Sequence, residues 1–60
     1  MRLALKIAIV TAGKTQRDIA RAADLSESLL SSIVCGWRNP SHEQRAAIAR
    51  VLGADEALLF

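Results

Sequence analysis

Sixty residues make a single domain at most. Its stability is marginal, because a chain this short buries only about 60 % of the surface it exposes when unfolded. The lone Cys35 excludes an internal disulfide, one His beside one Cys excludes a metal staple, and the net charge of +2 is only a mild lean toward polyanions.

The first apolar stretch reads two ways. Leu3, Leu5, Ile7 and Ile9 alternate as in a strand, whereas Leu3, Ile7 and Val10 keep helical spacing and Ala4, Ala8 and Ala12 favour helix. No later segment offers a partner strand, and a two-stranded sheet is marginal in water. A helix over residues 3 to 12 is predicted, ended near Gly13. The stretch is too short to span a membrane and is interrupted by Lys6, and no small-residue cleavage signal follows it. A lone thiol suits a reducing compartment. The expectation is a cytoplasmic protein with no membrane association.

Thr15 and Asp18 have the spacing of a capping box and start a second helix with Ile19, Ala20 and Ala23 as its apolar face. The chain must turn sharply at Asp24, and Asp tolerates the left-handed conformation better than most residues. Ser26 can cap a third helix that buries Leu30, Ile33 and Val34. Its other side is small and polar: Ser28, Ser31 and Ser32, with Cys35 at the end and Glu27 in the first turn. Gly36 ends that helix, and Trp37, Arg38, Asn39 and Pro40 form a loop in which Trp37 is expected to anchor against the core. Ser41 with Gln44 opens a fourth helix with Ala47, Ile48, Val51 and Leu52 inward; Gly53 closes it, and Asp55 caps a last short helix carrying Leu58, Leu59 and Phe60. The expected fold is one all-α, compact five-helix domain spanning residues 1–60, with short connections.

Two short helices and a tight turn over residues 15 to 35 make a helix-turn-helix unit. The first helix of such a unit crosses the phosphate backbone and the second enters the major groove, N-terminal residues first. Ala20 and Ala23 are small enough to let the two helices approach. At this point the chain resembles the phage repressor and Cro family. The matching residues are Thr15-Gln16, Ile19-Ala20, Leu25-Ser26, Leu30-Ser31, Ile33, Gly36, Pro40-Ser41, Ile48-Ala49, Leu52-Gly53 and Leu58-Leu59.

The resemblance implies a double-stranded DNA-binding transcriptional regulator, repressor-like and acting as a homodimer. By position it implies base reading from Glu27, Ser28, Ser31 and Ser32, with Ser26 at the head of the helix, and phosphate contact from Gln16, Arg38, Asn39 and Ser41. Arg17 is a further phosphate candidate by its charge. The family commonly dimerises near its last helix, which makes Leu58, Leu59 and Phe60 interface candidates. A first helix more apolar than one buried stripe requires also argues for a second copy. Two departures stand out. Asp24 replaces the usual turn glycine, and Val34 and Ile9 occupy positions where some members pair a glutamate with an arginine, so an apolar contact is expected instead.

The reading face lacks Arg, Asn and Gln, the side chains that grip guanine and adenine bidentately, so modest discrimination per half-site is expected. Specificity would then lean on dimer spacing and DNA shape. The alternatives are an antitoxin or phage-type control protein acting with a protein partner, and an interaction module that has lost DNA binding; Glu27 gives the second some weight. An enzyme is not expected: Cys35 and His42 have no orienting partner in sequence, and there is no phosphate cradle, cofactor motif or metal spacing.

Overall fold

The first amides of any helix lack intrahelical partners, so side chains that accept from them fix where helices begin. A computed structural model describes residues 1–60 and bears this out along the chain. Its elements are α1 (Leu3–Thr11), α2 (Gln16–Ala22), α3 (Glu27–Cys35), α4 (His42–Leu52) and α5 (Glu56–Leu59), with no strand. Thr15 Oγ1 accepts from the Asp18 amide at 3.1 Å, and the Asp18 carboxylate accepts from the Thr15 amide at 3.4 Å. Ser41 and Gln44 make the same reciprocal pair at 3.1 and 2.9 Å. Ser26 and Asp55 cap α3 and α5 from one side only. Gly36 and Gly53 close α3 and α4 in the left-handed conformation.

One core runs through all five helices. Leu5, Ile19, Leu30, Ile33, Val34 and Ile48 are fully buried, with Ile9, Ala20, Ala23, Ala49 and Leu59 completing the cluster and no polar side chain among them. Ala20 and Ala23 are both buried, and α2 packs against α3 and α4. Ile9 of α1 and Val34 of α3 are both buried in this cluster.

Two expectations are corrected, and a point left open in α1 is decided. The helical stripe Leu3, Ile7 and Val10 of α1 faces outward, each more than half exposed, and the buried stripe is Leu5 and Ile9 with Ala8 beside them. Both stripes are apolar, so periodicity could not rank them; the packing against α3 and α5 does. Trp37 anchors nothing: 85 % of it is exposed. Leu59, taken as a dimer contact, is turned into the core at 5 % exposure, and Phe60 packs partly against that core, which leaves Leu58 as the outward residue of the three.

The turn between α2 and α3 rests on Asp24, the one non-glycine residue with positive φ (59°). The backbone closes it with Asp24 N–H donating to the Arg21 carbonyl at 3.2 Å and Leu25 N–H to the Ala20 carbonyl at 2.8 Å. A left-handed position costs a side-chain-bearing residue about 1–2 kcal/mol, least for Asp and Asn and most for β-branched residues. Asp24→Val is therefore expected to destabilise the domain by about 1–2 kcal/mol, while Asp24→Gly changes stability by less than about 1 kcal/mol. Urea denaturation followed by far-UV circular dichroism checks the ranking; equal midpoints for both variants would contradict it.

Candidate nucleic-acid interface

On α3 the side chains 28, 31, 32 and 35 recur at i, i+3, i+4 and i+7, which puts them on one face. Ser28 is exposed, and Ser31, Ser32 and Cys35 are half-buried. The opposite face carries Leu30, Ile33 and Val34 into the core. The helix is thereby held at a fixed angle while a narrow, uncharged, short-chained surface looks outward. Glu27 stands exposed at the edge of this surface, in the first turn, where the helix dipole favours its charge.

Ser26 occupies a different place from the other serines. It is the N-cap of α3, and its Oγ accepts from the Leu29 amide at 3.1 Å. Its hydroxyl proton and one remaining lone pair are what it has left for a base or phosphate. Ser41 is similarly committed, since its Oγ and its amide both belong to the α4 capping box. These two candidates are structural first. Gln16 and Arg17 open α2, half-buried and exposed respectively. The Asp18 carboxylate already occupies the end of that helix, so any phosphate contact there falls to the Gln16 and Arg17 side chains.

Arg17 reaches across to α3, with its Nε 3.8 Å from a Glu27 carboxylate oxygen. Both side chains are more than half exposed, so the pair contributes little to stability. Its consequence is electrostatic: one cation at the α2–α3 edge is partly neutralised by one acid in the first turn of α3. Arg21 lies one turn further along α2 and lines the same shallow cleft as Arg17, Asp24 and Glu27. Sequence reading passed over Arg21, although its i+4 spacing from Arg17 was visible.

The loop after α3 is pinned to the helix it follows. Trp37 N–H donates to the Ser32 carbonyl at 3.0 Å, and Arg38 N–H reaches the same oxygen at 3.3 Å. Gly36 makes the reversal possible with φ of 85°. The loop backbone is thus fixed while Trp37, Arg38 and Asn39 all present exposed side chains beside the C-terminal end of the serine face.

Arg2 is the residue that sequence reasoning missed. Its backbone amide donates to the Val34 carbonyl at 2.8 Å, and its Nε donates to the Ile33 carbonyl at 3.0 Å. Its Nη2 donates to Asn39 Oδ1 at 2.9 Å and meets the Arg38 carbonyl at 3.4 Å. Its guanidinium lies 5.9 Å from the Phe60 ring centroid. The last turn of α3 has no basic residue of its own, and Arg2 supplies the cation that the carbonyl end of a helix favours. Asn39 therefore has its oxygen engaged and its amide N–H groups free to donate to a phosphate. These partners stand more than thirty residues away in sequence, and no local pattern announces them.

No three His, Cys, Asp or Glu side chains lie close enough together to hold a metal ion, and no helix is long and apolar enough to cross a membrane. Neither a curated protein nor a solved structure matches the chain. The family model described as a helix-turn-helix domain matches residues 4–59. With five helices in that order, a tight α2–α3 turn and an outward polar face on α3, the chain belongs to the helix-turn-helix domain family.

Proposed function

We propose that this chain is a transcriptional regulator of the repressor and Cro kind, which binds double-stranded DNA as a homodimer and acts by binding rather than catalysis. The observation that carries the reading is the serine face of α3, held outward by a helix whose other side is wholly buried. A long charged side chain there would have to be ordered or displaced on entry to the groove. Ser28, Ser31 and Ser32 let the helix backbone sit deep and donate to or accept from base edges. Arg17, Gln16, Arg38 and Asn39 flank this face, and their charge and amide donors suit the phosphates on either side of the groove. Trp37 lies in the same loop, where its indole ring can rest against the sugar–phosphate backbone and its N–H can donate to a phosphate.

Short contacts of this sort discriminate weakly between bases. Sequence preference would therefore come from the spacing of two half-sites and from how readily the DNA between them bends.

A salt titration of binding to random duplex DNA tests the reading. Affinity is expected to fall steeply as salt rises, in proportion to the phosphates neutralised. Arg17→Ala and Arg38→Ala should each flatten the slope of log affinity against log salt by about one. Absence of binding to any duplex at low salt would overturn the proposal and favour a protein-interaction module, a role to which the exposed Arg17–Glu27 pair between α2 and α3 is also suited.

A further inference from the structure

We infer that two copies of this chain pair through the outward face of α1, with Leu3, Ile7 and Val10 of one copy packed against the same residues of the other. The inference deepens the proposed dimeric DNA-binding function and rests on it for its biological meaning.

The face is defined by the burial of its own helix. Leu5 and Ile9 point into the core, and Leu3, Ile7 and Val10 lie on the opposite side at 64, 55 and 65 % exposure. Their i, i+4, i+7 spacing is the seam by which one helix packs on another. Ala4 and Thr11 border the stripe on one side without charge, and Lys6, the single charge of α1, stands half-buried on the other. The other exposed faces of the domain contrast with this one: α2 shows Arg17, Asp18 and Arg21, and α4 shows His42, Glu43 and Arg50.

The stripe itself carries no charge, with Lys6 and the Met1 amino group at its margins, and its three aliphatic side chains offer nothing to a phosphate backbone or to a charged peptide. It is complementary to itself, which is what a two-fold interface requires. Complete coverage of Met1, Leu3, Ile7 and Val10 in both copies would bury at most about 1,000 Å² in total. That is the lower limit for a specific interface and fits a weak dimer completed on DNA. The C-terminal alternative is poorer in available surface. Leu59 is committed to the core and Phe60 to Arg2, so Leu58 alone remains.

Sedimentation equilibrium of the full chain tests the pairing, with Ile7→Lys and Val10→Lys against Leu58→Lys as the control. All three positions are exposed, and circular dichroism establishes that each variant keeps its helices. The wild type is expected to dimerise with a dissociation constant in roughly the micromolar range. Both α1 variants should raise that constant at least about 100-fold, because each two-fold pair would bury two unpaired ammonium groups. Leu58→Lys should leave it within about threefold. A wild type that stays monomeric at millimolar concentration overturns the inference, as does a dimer that survives both α1 substitutions or one that Leu58→Lys dissolves. Duplex binding, measured separately by anisotropy, keeps the two readings apart. A dimer broken by Ile7→Lys without any DNA binding would sink the proposed function and leave the interface standing.

Discussion

Leu30→Ala is expected to remove about half of the domain's folding stability. Leu30 is fully buried in α3, among side chains from the other helices. Removing three carbons there costs about 2–5 kcal/mol, through lost transfer energy and the cavity left behind. A domain of this length has roughly 3–9 kcal/mol to lose, at the usual stability per residue. The variant should show a large loss of helical circular dichroism on warming and a urea midpoint far below that of the wild type. Ile33→Val, in the same helix, removes one methyl group and should cost only about 0.5–1.5 kcal/mol. A Leu30→Ala midpoint within error of the wild type would mean that α3 is not held by this core, and the fixed angle of its serine face would lose its explanation.

Arg2→Ala should have the next largest effect, although Arg2 lies in no helix and contributes nothing to the apolar cluster. It removes a charge-assisted hydrogen bond to the Ile33 carbonyl, the contact to Asn39 and the ring contact with Phe60. Hydrogen bonds of this class contribute about 1.5–3 kcal/mol each when one partner is charged. In a domain this small, each 1 kcal/mol shifts the melting temperature by roughly 4–8 °C, so a fall of about 10 °C is expected. Arg2→Lys should recover little of it. A lysine ammonium is a point donor and cannot hold carbonyl, side-chain oxygen and ring at once as the planar guanidinium does. Full recovery by Lys would mean that charge alone matters there. The Arg2→Ala variant should also bind DNA more weakly than its stability explains, since Asn39 would lose the contact that orients it.

The helices were legible because their ends were. Thr15 with Asp18, Ser26, Ser41 with Gln44, Asp55 and the glycines at 36 and 53 act within four residues of themselves, and local chemistry of that range can be read from a string of letters. The left-handed turn at Asp24 was legible for the same reason. The outward polar face of α3 followed once its buried side was known, because the helical period fixes one from the other.

What escaped the sequence was non-local. On α1 two apolar stripes compete, and only the positions of α3 and α5 decide which one turns inward. The reach of Arg2 depends on a fold that brings the second residue beside the thirty-third. Trp37 misled for a related reason. A large aromatic side chain in a short loop is usually an anchor, but Gly36 and the Ser32 carbonyl turn this loop away from the core. Ser26 and Ser41 were read both as helix caps and as DNA contacts, and the capping engages the oxygen of each.

The exposure of Trp37 has an optical consequence. It is the chain's single indole, and there is no tyrosine, so nearly all of the molecule's near-ultraviolet absorbance and emission comes from one side chain in the loop behind α3. Water reaches that ring in the folded protein almost as freely as in the unfolded one. Its emission is therefore nearly blind to unfolding and changes when something covers the loop. In this protein intrinsic fluorescence is a gauge of contact, and the state of the core has to be followed by other light.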